Sequence, residues 1–220
     1  WYRYYLPGYI SNEVVSSAQI DRFGRSNTIE IRTSKGLLRL PGQGGMAEVA
    51  DLSDSLYFYL PRHSTRNLVE QVDFAGVARH LLTAEEREAA GLQPGEVKLV
   101  TNLAVFKVDH DSREFKIVSL HPGVTLDEVK EATGFAVDCE GDIPLTEEPD
   151  EESLRMIREE IDPLGLRFLE SATGPDRQAM IDKILDAEEA LFKAQGNLRE
   201  SKAANQAVFK TPAHRLQLQH

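Results

Sequence analysis

The sequence predicts an α/β fold, and three observations predict it. Short runs rich in β-branched and aromatic residues recur between Val14 and Leu120. Helix-start chemistry alternates with them, with Thr83 and Glu86, then Thr125 and Glu128, at the spacing of a capping box. Clusters of Gly, Pro, Asp and Ser separate the two kinds of segment, as loops between layers require.

The elements follow in order. The chain opens on Trp1, and Trp1, Tyr2, Tyr4, Tyr5 and Tyr9 crowd its first nine residues. So much aromatic surface is expected to pack against an upstream segment or a partner subunit. Val14 to Ile20 reads as a strand that turns at Asp21-Arg22-Phe23-Gly24, and Thr28 to Arg32 alternates as a half-buried strand does. Met46 to Leu52 suits a short helix, and Ser55 to Leu60 places Leu56, Phe58 and Leu60 on one strand face. Ser64 or Thr65 is expected to cap a helix running to Val72.

A helix over Thr83 to Ala90 ends before Gly91. Val97 to Val108 and Glu114 to Leu120 read as strands around a hairpin at His110-Asp111-Ser112. Thr125 caps a helix that stops at Gly134, and another covers Glu151 to Glu160. In the tail, Met180, Ile181, Ile184, Leu185, Ala187, Leu191, Phe192, Ala194 and Leu198 form one apolar stripe at helical spacing. Thr211 to His220 reads as loosely ordered. The boundary is drawn as residues 1–170 for the α/β domain and 171–220 for a C-terminal helical extension.

Composition narrows the function. The 220 residues, 41% hydrophobic and 28% charged, have the make-up of a soluble globular protein. No apolar run approaches the roughly 20 residues that span a bilayer, so no membrane role is expected. A net charge of −11 argues against a nucleic-acid partner, which needs clustered Lys and Arg. Residues 140–170 hold 11 acidic and three basic side chains, which read as a solvated linker entering a helix N-terminus. The single Cys139 excludes an internal disulfide and, with no signal-peptide pattern, points to a reducing cytoplasm.

Most catalytic patterns are absent. His63, His80, His110, His121, His214 and His220 show no metal-ligand spacing, and Cys139 has no companion, so no metal site is expected. There is no nucleophile elbow, dinucleotide fingerprint or Walker loop. Cys139 stands among acids that disfavour its thiolate. The exception is Leu37-Leu38-Arg39-Leu40-Pro41-Gly42-Gln43-Gly44-Gly45, which packs three glycines into four residues after an apolar run. Such a loop either makes a tight turn or presents bare backbone N–H groups to a phosphate, a carboxylate or a developing oxyanion.

An ordered set of segments carries a family resemblance. It comprises Ser17-Ala18-Gln19-Ile20-Asp21-Arg22-Phe23-Gly24-Arg25-Ser26-Asn27-Thr28, Arg39 to Gly45, Thr101-Asn102-Leu103-Ala104-Val105-Phe106, Ser119-Leu120-His121-Pro122-Gly123-Val124, Ala132-Thr133-Gly134-Phe135 and Ile157-Arg158-Glu159-Glu160-Ile161-Asp162-Pro163. Over residues 5–168 these resemble the β (B) subunit of class I CoA-transferases of the glutaconate CoA-transferase type. The resemblance implies an open, mixed or parallel sheet flanked by helices, with an active site shared with an α-type partner subunit. It implies a coenzyme A thioester as substrate, no permanently bound cofactor, and CoA transfer between carboxylic acids through an enzyme glutamyl thioester.

The family's GxGG loop is here Gly42 to Gly45, with Gly44 and Gly45 as the catalytic oxyanion donors and Gly42 and Gln43 beside the substrate. Gln19 and Asp21 match the family's A-Q-I-D segment, and Gln19 is expected near CoA or substrate. Asp21 and Asn27 equally suit a purely turn-shaping role. Arg39 suits a substrate carboxylate or phosphate, or a structural ion pair.

The departures are as specific. The family's nucleophilic glutamate lies in an E-S-G segment upstream of A-Q-I-D, and no Glu here has that context. Glu13 and Glu30 lie on or beside strands without the following Gly. Ser16-Ser17 replace Gly-Gly, His63-Ser64 replace His-Glu, and Ala75-Gly76-Val77-Ala78 replace T-S-P-G. Either this is part of a longer β subunit, or the glutamate comes from the partner. The second case matches the ring-opening CoA-thioester hydrolases of actinobacterial steroid degradation. A non-catalytic subunit completing an interface is the third expectation.

Overall fold

The computed structural model describes residues 2–5, 8–77, 82–93, 95–137, 139 and 141–194. They fall into two compact units, Trp1–Glu148 and Pro149–His220.

The first unit begins with the short helix α1 (Tyr2–Tyr5), then β1 (Asn12–Val15), β2 (Gln19–Asp21), β3 (Ser26–Asn27), β4 (Glu30–Thr33) and β5 (Gly36–Arg39). Helix α2 (Met46–Leu52) leads to β6 (Ser55–Leu60), β7 (Leu68–Val69), α3 (Ala84–Ala89), β8 (Val97–Thr101), β9 (Ala104–Val108), β10 (Phe115–Leu120) and α4 (Leu126–Ala132). The main sheet has the order β1-β6-β8-β9-β10. Strands β1, β6 and β8 run parallel, and β9 is antiparallel to both its neighbours. This is the mixed sheet with flanking helices that the sequence predicts. A small sheet, β3-β2-β7, and the two-stranded ribbon β4-β5 stand beside it.

Strand periodicity builds the core. Leu56, Phe58 and Leu60 point to one face and meet Leu99, Ala104, Phe106 and Phe115, all almost fully buried. Phe106 and Phe115 meet edge-on at 6.2 Å, and burying each ring contributes about 2–3 kcal/mol. On the opposite face Val14, Tyr57, Lys98, Lys107 and Lys116 stand in one row across five strands. Glu96 bridges two of these lysines, at 2.6 Å to Lys98 and 2.5 Å to Lys107.

Both capping boxes form, at Thr83 with Glu86 and at Thr125 with Glu128. Several segments depart from expectation, and the run from Val97 to Val108 is itself a hairpin of β8 and β9. The strand expected from Val14 to Ile20 breaks after Val15, and Gln19 begins a strand of a different sheet. Ser17 makes the corner, its hydroxyl reaching the carbonyls of Gln19 and Asn27 at 2.9 Å. The strand expected from Thr28 begins only at Glu30, because the Asn27 side chain bends residues 27–30 into a turn.

The helix expected after Ser64 does not form. The Ser64 hydroxyl donates to Asn67 Oδ1, and Leu68–Val69 pair with β2 instead. Pairing across the fold overrides the local cap signal. Of the N-terminal aromatics, Tyr5 is buried and donates its hydroxyl to Glu13 at 2.6 Å, whereas Tyr4 and Tyr9 are exposed. Trp1 lies outside the described residues.

In the second unit Asp150 caps α5 (Glu151–Arg155), which widens into a π-helical turn at Met156–Ile161 rather than continuing as an α-helix. A 3₁₀ turn spans Leu166–Glu170, and α6 covers Gly174–Ala194. The tail stripe is half-buried at Met180, Ile181, Ile184, Leu185, Ala187 and Phe192 and exposed at Leu191. Leu198 and Thr211 to His220 lie outside the described residues. No helix among them is long and apolar enough to cross a membrane.

Candidate active site

The parallel strands β1, β6 and β8 end on one edge of the sheet, the edge where open α/β sheets take ligands. Ser17, His63 and Thr101 stand at or just after these ends. Beside them β5 delivers the chain into the glycine loop.

The loop is tied at its base and unpaired at its tip. Leu40 N donates to Ile29 O at 2.9 Å, and Gly42 N donates to Thr28 O at 3.0 Å. The Gln43 carboxamide donates to the carbonyl of Gly76, and Met46 N closes a turn on Gln43 O. Gly42 has φ +103° and Gly44 φ +58°, conformations that L side chains rarely adopt. Among the described residues other than the chain neighbours, nothing lies within 4 Å of where a Cβ would stand on either. The backbone N–H groups of Gln43, Gly44 and Gly45 have no partner among the described residues. Successive backbone donors left without a partner can receive an oxyanion.

Gly42, Gln43, Gly44 and Gly45 are thus together. Gln19 lies behind the loop's base, 7% exposed, with its side chain bound internally. Its Nε2 donates to Asp73 Oδ2 at 3.0 Å, and its Oε1 accepts from Asn27 Nδ2 at 2.7 Å and Asp73 N at 3.1 Å. Arg39 stands on the ribbon, its side chain 71% exposed, and pairs with Glu30 at 2.9 Å. Asp21 accepts from Phe23 N and Arg25 N and binds the Arg25 guanidinium at 2.6 Å, so it shapes the turn.

The structure also brings together side chains that the sequence names only within separate family segments. His63, 8% exposed, places Nδ1 2.9 Å from the Thr101 hydroxyl and Nε2 2.8 Å from the Thr133 hydroxyl. Burial pushes its pKa down to about 4, so at neutral pH it is an uncharged imidazole. His121 Nε2 lies 2.8 Å from the Thr101 carbonyl, which can only accept. Its Nδ1 lies 3.0 Å from the Thr146 hydroxyl, and Ser119 Oγ lies 2.7 Å from that same hydroxyl.

The His63–Thr133 contact spans 70 residues, and no local pattern announces such a separation. Cys139 is a half-buried free thiol. Among the described residues no three His, Cys, Asp or Glu side chains are grouped to hold a metal.

This fold and loop place the chain in a known class: it belongs to the Coenzyme A transferase family, whose profile matches residues 10–132. It is 35% identical over 160 residues to the β-type (B) subunit of the 3-oxoadipate CoA-transferase of Pseudomonas knackmussii, a match covering 71% of this chain and 61% of that one. It is 30% identical over 161 residues to the cholesterol ring-cleaving hydrolase IpdB subunit of Rhodococcus jostii, covering 70% and 60%. The crystal structure of glutaconate coenzyme A-transferase from Acidaminococcus fermentans superposes with a TM-score of 0.58 at 28% identity, covering 69% of this chain and 58% of that one. The chain spans about three fifths of the length of the curated relatives it matches.

Proposed function

We propose that this chain is the β-type subunit of a CoA-transferase-family enzyme that acts on acyl-CoA thioesters with an α-type partner. The observation that carries this reading is the row of unpaired N–H groups at Gln43, Gly44 and Gly45 on a loop tied at its base. Attack on a thioester carbonyl puts negative charge on its oxygen. Donors already in place stabilise that charge, and losing one such donor costs about 10²–10³ in kcat.

The reaction proposed is CoA transfer between carboxylic acids. A glutamate carboxylate of the complex attacks the thioester carbonyl and the CoA thiolate departs. That thiolate opens the mixed anhydride at the glutamyl carbonyl, releasing the first acid as its carboxylate and leaving the glutamyl thioester. The second acid's carboxylate takes CoA by the reverse sequence, which frees the glutamate. CoA thus enters as substrate, and the scheme needs no resident cofactor. Gly44 and Gly45 act as oxyanion donors, Gly42 and Gln43 shape the cradle, and Gln19 supports it from behind. Arg39 offers a substrate anion the N–H donors that its Nη1 contact with Glu30 leaves over. Residues 1–170 supply the family domain and 171–220 a helical extension. A single cysteine fits a reducing cytoplasm.

The test is to incubate the assembled complex with acyl-CoA and then with borohydride. A transferase loses activity because its glutamyl thioester is reduced; activity untouched by that treatment sinks the transferase reading. The second reading, a CoA-thioester or ring-opening hydrolase, is favoured by the similarity to the ring-cleaving hydrolase subunit. It expects water as the acceptor and no sensitivity to borohydride.

A further inference from the structure

We propose that Asn27 is a positioning residue for the glycine loop, setting the direction in which the Gln43–Gly45 donors point; its catalytic meaning rests on the oxyanion reading above. Asn27 is fully buried, yet its carboxamide is used on both sides. Oδ1 accepts from Ile29 N at 3.0 Å and Glu30 N at 3.3 Å, which curls residues 27–30 into a turn. Nδ2 donates to Glu30 O at 2.6 Å and to Gln19 Oε1 at 2.7 Å. The turn presents the carbonyls of Thr28 and Ile29, the two groups from which Gly42 and Leu40 hang.

The backbone of Asn27 is clamped as well. Ser17 Oγ accepts from Asn27 N at 3.0 Å and donates to Asn27 O at 2.9 Å. Asp73 fixes Gln19 in turn, so side chains reinforce the backbone pairing that couples the base of the loop to β2.

Only a primary carboxamide offers two donors and an acceptor in one plane at this size. A carboxylate keeps the acceptor but turns an oxygen toward Gln19 Oε1 and Glu30 O. An alanine removes both functions. Displacement of Thr28 O carries Gly42 with it, and Gly42 immediately precedes the three donors. Oxyanion donors act only when held within about 0.5 Å of the productive geometry, so a side chain distant from any substrate can govern them.

The test is residue-resolved hydrogen–deuterium exchange on the full chain in its subunit complex, comparing wild type with Asn27→Asp. The Gly42 amide should exchange about tenfold faster or more in the variant, while Leu99 and Phe106 in the sheet stay within about twofold. Unchanged exchange at Gly42 overturns the proposal, and so does an equal acceleration at all three amides, which marks general loosening. Should Asn27→Asp fail to fold, wild type alone decides. Gly42 should be protected at least about tenfold more than Gly44, and equal exchange overturns the proposal. Turnover by Gly44→Val tests the oxyanion reading separately, because the Gly42 measurement does not depend on it.

Discussion

Lowering the pH from 7 to 4 tests the placement of His63. Both ring nitrogens rest on threonine hydroxyls in a site 8% exposed, and burial holds its pKa near about 4 against an ordinary 6.5. The folded protein therefore resists a proton that the unfolded chain accepts. Stability from this group is fully present above pH 6.5 and is lost as pH falls toward 4. A difference of about 2.5 units at 1.36 kcal/mol each makes the loss about 3 kcal/mol, a large share of the roughly 5–15 kcal/mol that holds a domain together.

Urea melts at steps from pH 7.5 to pH 4.5, on wild type and on His63→Asn, measure it. The gap in stability between the two should close as pH falls. Glu96 does not confuse the result: hydrogen bonds from Lys107 and then Lys98 pull its pKa down to about 2, so its stability is lost only below its unfolded value, at more acid pH. Parallel pH profiles for the two proteins would refute the buried neutral imidazole.

Two further outcomes follow from the loop and the core. Gly44→Val meets no clash, because the space around Gly44 is open, but at φ +58° it costs about 1–2 kcal/mol of backbone strain. The complex should assemble while kcat falls about 10²-fold or more, and turnover within about twofold of wild type, checked alongside a thermal melt, sinks the oxyanion role. Phe106→Ala removes a ring buried against Phe115 and His63 and should cost about 3–5 kcal/mol in a urea melt.

Local chemistry was legible in the sequence wherever it acts over three or four residues. Thr83 and Thr125 form the capping boxes their spacing announces, and Leu56, Phe58 and Leu60 bury the face their alternation marks. The signal failed where distant segments compete for the same backbone. Ser64 has a helix-capping side chain, but Asn67 takes its hydroxyl and β2 takes the following strand.

The candidate site divides in the same way. The glycines of the loop are visible because their conformation is written in residue type. The contacts that hold it are not: Gln19 matches a family segment, but its partner Asp73 stands 54 residues away and carries an ordinary polar side chain. The order of short motifs along the chain, rather than any one of them, pointed to the family.

The loop also limits how stable this protein can become. Replacing glycine commonly stabilises a protein by about 0.4–1 kcal/mol through the unfolded chain, but only where φ is negative. Gly42 and Gly44 are closed to that route by their positive φ. Pairing the three bare N–H groups within the chain would fill the space that the proposed oxyanion role requires. Phe58, Phe106 and Phe115 are buried in the core, and a variant that weakens it there should lose the order of this loop before it loses the sheet.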